Sequence, residues 1–426
     1  MYCDIEGSLD LSTSMFPQHI YHKLEGGAIR LLKIHSRSDF TLENTYWKNS
    51  APYVAISHCW GDADDLCNVT INGAGVSLRK HVAAMLGSLY EHHHVNCIWL
   101  DMACINQCDL QEKAEQVSLM GQIYGKADQV YAWLGESDPE VDDIFDVLQQ
   151  FRDYREHEHS LEHMDAAESL SFHRDSFRRI YQTRIGLMPE PSNSDGDDLH
   201  EEFNLLRPFL MIPYWRRAWI IQELILAKTV IVCYGNRSID LHDVYGTSLD
   251  WGSFEQGFDA GVIQIAGRTN LKQHSRAWKI IQAICGHRRL RKRLEWENGE
   301  EFRFLQSGNE EIESRAVVLM KMSERGDVAM FDEVIGLYAQ NHCKHLRDKV
   351  YAFRELVPQW RENVVVDYDK KSDLEVFQDV VRLGLLKQQK HGGGHVAFWL
   401  WSAMNLGDRS EFDSFLREHL PEISQR

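Results

Sequence analysis

The chain has 426 residues, 43% hydrophobic and 26% charged side chains, and a formal net charge of −18. That length predicts two domains, and that charge sets the whole-molecule field against nucleic acids and anionic membrane surfaces, so neither is an expected partner. Nine cysteines lie scattered without a Cys-x-x-Cys pair. With no basic-then-apolar leader after Met1 and no apolar run of membrane length, the chain reads as cytoplasmic with reduced thiols.

In chain order, residues 1–27 read as a tail, and Ala28–Ile34 as a first short strand. Tyr53–Ser57 is a strand running into the turn His58-Cys-Trp-Gly-Asp62. Ser77 is placed to cap a helix through about Glu91, with Val82, Met85, Leu86 and Leu89 at helical spacing. Cys97–Asp101 is an apolar strand of the kind buried on both faces. Asp109 and Glu112 have capping-box spacing and open a helix to about Tyr124. Gln129–Leu134 is a further strand, followed by an amphipathic helix from Val141 to about Tyr154. From about 136 to 200 the chain turns acidic and turn-rich, and reads as a flexible insertion. A helix Trp215–Ala227 and a strand Thr229–Cys233 resume the alternation. The chain beyond about Leu241 is mostly helical, and the basic run His287–Arg293 reads as a solvated helix face.

Alternating strands and helices predict a parallel sheet with helices on both faces. Ligands of such sheets bind beyond the carboxyl ends of the strands. Those ends are Ser57–Gly61 and Asp101–Gln107, and neither has a glycine-rich phosphate signature. Consecutive His92, His93 and His94 point in different directions, so no metal site is expected. Adjacent His58 and Cys59 cannot readily form a nucleophile pair. Asp101 is placed either to organise its loop or to hold a ligand hydroxyl.

On a Trp215–Ala227 helix, Trp215, Trp219 and Glu223 fall on one stripe. Partial burial there raises a carboxylate's pKa. The residues alone leave two readings open: a core carboxylate neutralised by Arg216 or Arg217, or a functional group.

Three ordered blocks resemble the fungal heterokaryon-incompatibility (HET) domain. They are Tyr53-Val-Ala-Ile-Ser-His-Cys-Trp-Gly61; Ile98-Trp-Leu-Asp-Met-Ala-Cys-Ile-Asn-Gln107 continuing to Trp133-Leu-Gly135; and Tyr214-Trp-Arg-Arg-Ala-Trp-Ile-Ile-Gln-Glu-Leu224 with Gly235. Lys113 and Cys108 depart from the usual pattern, which has Arg and an acidic residue there. HET domains are in turn similar to TIR domains, some of which cleave NAD with one glutamate in a Trp-Cys-x-x-Glu pattern. Trp219-Ile-Ile-Gln-Glu223 has the same spacing, with Ile220 in place of the Cys.

The resemblance implies an α/β, TIR-like (flavodoxin-like) parallel sheet with flanking helices over residues 28–245, and a mainly helical C-terminal domain over 246–426. It makes Glu223 the catalytic candidate. Ser57, His58, Trp60, Gly61, Asp101, Asn106, Gln107, Arg216, Arg217 and Trp219 become candidates for holding NAD, which is a substrate rather than a cofactor. Nicotinamide departs neutral from a cationic ribosyl bond, so one carboxylate suffices where ordinary glycosidases need two. Self-association into a homo-oligomer and an incompatibility-partner protein are expected, and the product is ADP-ribose or its cyclic form. A ribose-hydroxyl role requires Glu223 to face the cleft between the two loops. The alternative is a non-enzymatic death-signalling adaptor, which needs none of these polar groups in one place.

Overall fold

The computed structural model describes residues 20–61, 65–158, 208–244, 277, 280–281, 283–288, 334–336, 338–385 and 393–419. Its strands are β1 (Ala28–Ile34), β2 (Asp39–Tyr46), β3 (Val54–His58), β4 (Leu66–Ile71), β5 (Ala74–Arg79), β6 (Cys97–Trp99), β7 (Gln129–Trp133), β8 (Val230–Tyr234) and β9 (Arg237–Asp240). They form one sheet in the order β5-β4-β2-β1-β6-β3-β7-β8-β9. The sheet is mixed, which corrects the all-parallel expectation. Only β6, β3, β7 and β8 form a continuous parallel block, while β1, β5 and β9 each run antiparallel to a neighbour.

Connection length explains the difference, because parallel neighbours need a crossover and antiparallel ones only a turn. The crossovers contain α1 (Lys80–Glu91), α3 (Leu110–Lys126) and α4 (Pro139–Glu158), with a one-turn α2 (Asp101–Cys104) directly after β6. The β4–β5 hairpin turns at Asn72-Gly73, where both residues have positive φ (52° and 77°). Asn-Gly is the strongest two-residue hairpin signal, since that turn needs φ > 0 at both positions. This hairpin holds Ser77 opposite Asn68 in the ladder. Ser77 therefore caps nothing, and α1 starts at Lys80 after an extended Arg79.

The expected Trp215–Ala227 helix is also broken. Pro213–Arg216 is a single 3-10 turn, Arg217 is extended (ψ 139°), and α5 covers only Ile220–Ile225. Backbone groups that would close the longer helix are used elsewhere: Ala218 N–H donates to His342 (2.8 Å) and the Arg216 carbonyl accepts from His342 N–H (2.5 Å). Trp215 thus leaves the stripe of Glu223, and its indole donates to the Phe209 carbonyl (3.0 Å). The insertion expected up to 200 lies outside the described residues from 159 on. Past β9 the described chain is helical: α6 (Asp348–Tyr351), α7 (Pro358–Asn363), α8 (Asp373–Leu385), α9 (Gly393–Ala403) and α10 (Arg409–His419). No described helix is long and apolar enough to cross a membrane.

One buried ion pair fixes the loop after β6. Arg30 of β1 forks onto Glu112 of α3, Nη1 to Oε1 at 2.5 Å and Nη2 to Oε2 at 3.0 Å. Arg30 also donates to the carbonyls of Cys104 (3.1 Å) and His22 (2.6 Å), and Glu112 accepts the Asn106 N–H (2.8 Å). Asp109 caps α3 through the N–H groups of Gln111 and Glu112, as its spacing predicts. The return half of the box is absent, because Arg30 has taken the Glu112 carboxylate. Removing one member of a buried pair leaves the other charge uncompensated, which costs about 3–5 kcal/mol. Glu112→Gln is expected to lower unfolding stability by that amount in urea titrations; a loss under about 1 kcal/mol would show that the pair does not anchor this loop.

Candidate functional site

The carboxyl ends of β3 and β6 and the start of α5 bring a set of ionisable groups together. Ser57, the penultimate residue of β3, donates its hydroxyl to Glu223 Oε2 and shares a 2.6 Å hydrogen bond with the Tyr214 hydroxyl. The Tyr124 hydroxyl of α3, close by, donates to the Ile56 carbonyl (3.0 Å). Arg217 Nη1 lies 3.7 Å from Glu223 Oε2. Asp101 takes the Trp60 indole N–H (2.9 Å) and the Met102 N–H (2.7 Å), and stands 3.9 Å from His58 Nδ1. Burial thins outward: Glu223 is 1% exposed, while the side chains of Asp101 and Arg217 are 15% and 18% exposed.

Burial dominates the electrostatics. It raises Glu223 to about 7, against the opposing pull of Arg217 and the Ser57 hydrogen bond, with Asp101 adding repulsion. Asp101 is raised for the same reason, with Arg217 opposing. His58 is driven well below the usual histidine range by burial first, then by the positive Arg217, with His81 and Arg79 adding in the same direction. Burial works against the Arg217 charge, but Glu223 and Asp101 outweigh it and raise its pKa. Tyr214 and Tyr124 are pushed well up by burial and by Glu223, so both remain neutral hydrogen-bonding groups.

Arg79, Trp60 and Gly61 build the rim. Arg79 Nη1 donates to the carbonyls of Trp60 (2.5 Å) and Gly61 (2.6 Å), holding the turn after β3 against the start of α1. Gly61 has φ +63°, and a Cβ there would stand 2.4 Å from the His81 ring. Glycine is therefore required twice, by backbone and by space. Three buried polar atoms around this cluster make no hydrogen bond: His58 Nε2, His81 Nε2 and Arg217 Nη1. Such atoms are uncommon in folded proteins, and each costs about 1–3 kcal/mol.

Of the residues singled out in the sequence, Ser57, His58, Trp60, Gly61, Asp101, Arg217 and Glu223 converge here. Gln107 stays at the edge, its amide donating to the Asp101 carbonyl (3.1 Å). Asn106 serves its own loop, its side-chain oxygen accepting from Cys108 N–H (3.3 Å). Arg216 turns to the Met211 sulfur (3.5 Å), and the Trp219 indole donates to Asp348 (3.3 Å). Glu223 is oriented toward the strand ends, but in this conformation it is 1% exposed. Tyr214, Tyr124, Arg79 and His81 escape sequence reasoning as site residues. The Asn72-Gly73 turn was the available signal for Arg79 and His81, because the hairpin delivers them to the rim.

Residues 53–223 match the model of the family described as Heterokaryon incompatibility protein (HET). The clustered groups above all lie within that match. Over 240 residues it is 29% identical to Heterokaryon incompatibility protein 6, OR allele, of Neurospora crassa. That match covers 48% of this chain and spans a third (33%) of the relative's length. No solved structure matches.

The raised carboxylate has a consequence for stability. A folded-state pKa of about 7 against an ordinary 4.5 means that the folded protein keeps a proton the unfolded chain releases. The contribution of Glu223 is fully present below pH 4.5 and is lost as pH rises through 7, on the order of 3 kcal/mol in all. Urea unfolding from pH 4.5 to 8 should show that slope in the parent and a flatter one in Glu223→Gln. Equal slopes would place the Glu223 titration in the ordinary range.

Proposed function

We propose that this HET domain acts in heterokaryon incompatibility and cell death by hydrolysing the nicotinamide–ribose bond of NAD at Glu223. One observation supports the reading most: carboxylates, a guanidinium and an imidazole are gathered at the carboxyl ends of parallel strands with hydrogen-bonding capacity left unmade at Arg217 Nη1 and His58 Nε2. A domain that only packs has no use for that concentration of buried charge. Strand order supports the TIR-like comparison. The parallel block reads second-first-third-fourth in sequence order, as in the doubly wound 2-1-3-4-5 arrangement, whose ligands bind where the order reverses. Here that reversal lies between β3 and β7, and Ser57 and His58 sit at the end of β3.

In this reading the C1′–N bond breaks and its electron pair leaves on neutral nicotinamide, so no general acid is needed. Water adds to C1′ and loses a proton, giving ADP-ribose; capture by an adenine nitrogen instead gives the cyclic form. Ionised Glu223, held by Ser57, takes the ribose hydroxyls and opposes the oxocarbenium charge. Arg217 rather than Arg216 meets phosphate. Trp60, half-buried on the rim and bonded to Asp101, is the stacking surface for nicotinamide in preference to Trp219, whose indole is directed away from the cluster to Asp348.

Access then requires movement, since Glu223 is 1% exposed. Self-association of the chain supplies that opening in this account. The same burial favours a second reading, an adaptor in which the cluster only holds the fold. Nicotinamide release from NAD by the purified chain, followed over a range of protein concentrations, separates the two. The expected result is release that steepens with concentration, rises as pH passes about 7, and falls at least a hundredfold in Glu223→Gln. No release from concentrated or cross-linked protein would support the adaptor.

A further inference from the structure

The segment bearing Arg217 and Glu223 is gripped from two sides by residues beyond the HET match. On one side Arg217 forms an isolated parallel bridge with His342. Ala218 N–H donates to the His342 carbonyl (2.8 Å), and the Asn341 amide donates to the Arg217 carbonyl (3.1 Å). One step along, Asp348 accepts the Trp219 indole N–H (3.3 Å) and the Tyr368 hydroxyl (2.8 Å). Asn341 and Asp348 are both nearly inaccessible, at 1% and 4% exposure. On the other side Arg288, read from sequence as part of a solvated face, is half-buried. It donates to the carbonyls of Leu224, Ala227 (2.8 Å) and Lys228 (3.1 Å), at and just beyond the end of α5.

These contacts explain two features together. They use the backbone groups that would have made 215–227 one helix, and they hold Arg217 where its guanidinium lies against Glu223. We propose that Asn341–Asp348, backed by Tyr368, is a latch in cis that keeps the Glu223 cluster shut and must be released before a ligand enters. The latch joins short irregular segments through a handful of hydrogen bonds, whereas the sheet beneath is a continuous ladder. It is therefore the weaker element and the one that opens first. Asp348 is its pivot, because one carboxylate ties Trp219, at the head of α5, to Tyr368 in the C-terminal region. Burial raises the Asp348 pKa, with Tyr368, Lys113 and Trp219 opposing, in line with a group enclosed by the closed state. The consequence for activity rests on the NAD reading; the opening itself does not.

The test compares hydrogen–deuterium exchange of the full chain in the parent, Asp348→Asn and Tyr368→Phe, beside nicotinamide release from NAD at a dilution where the parent is slow. Asparagine sets an amide N–H₂ against one of two donors, and phenylalanine removes a single hydroxyl, so the second variant perturbs packing least. Amides of residues 216–223 should exchange about tenfold faster in Asp348→Asn and less so in Tyr368→Phe, with β7 and β8 unchanged. Nicotinamide release should rise in the same order. Unchanged exchange at 216–223 in both folded variants, or a uniform rise throughout, overturns the latch. Local opening with less release than the parent also overturns it, since the contacts would then position rather than restrain. Local opening with no release from any form, parent included, leaves the latch standing and removes the NAD reading instead.

Discussion

The structure turns on one arrangement: a carboxylate removed from water and left beside a guanidinium whose hydrogen-bonding capacity is not filled. Glu223 is 1% exposed, Arg217 Nη1 is 3.7 Å away, and Ser57 supplies a hydrogen bond that offsets part of the burial. Desolvation still wins, which is why Glu223 sits at about 7. A buried charge of this kind is weak as a contribution to stability. Its place beside the ends of parallel strands is where ligands bind in α/β folds.

The surrounding architecture maintains that arrangement. The Arg30–Glu112 fork holds the loop after β6 and so sets Asp101. Arg79, delivered by the β4–β5 hairpin, holds the turn after β3 and so sets Trp60. Asn341, His342 and Asp348 hold the break before α5 and so set Arg217. Three separate parts of the chain therefore converge on one small region, and the third, like Arg30 of the first, lies outside the stretch that matches the HET family.

Much of the α/β frame is legible in the residues. The strands β1, β3, β6, β7 and β8 and the helices α1 and α3 follow from apolar runs and helical spacing. The missed strands had weaker signals. β2 and β4 expose alternate or irregular positions, and β5 and β9 depend on the two-residue turns Asn72-Gly73 and Gly235-Asn236. The Trp215–Ala227 helix failed for a reason that no local pattern contains: its backbone groups are claimed by His342, more than a hundred residues on. The site followed the same rule. Residues at strand ends, Ser57, His58 and Asp101, were readable from topology, and Glu223 was singled out by the Trp219-to-Glu223 spacing of the resemblance, since Trp215 leaves the expected stripe. Tyr214 and the Trp219–Asp348 contact come from long-range packing, which periodicity does not report.

The account stands on the Glu223 carboxylate being a group that ribose can reach, not a filled core position. The most direct measurement is the ¹³C NMR titration of the Glu223 side-chain carboxyl in the full chain, with and without saturating ADP-ribose. The account predicts a midpoint near 7 in the free protein, displaced once the ribose hydroxyls bond to the carboxylate. A midpoint that ADP-ribose does not move, while the ligand is shown to bind elsewhere or not at all, would contradict it.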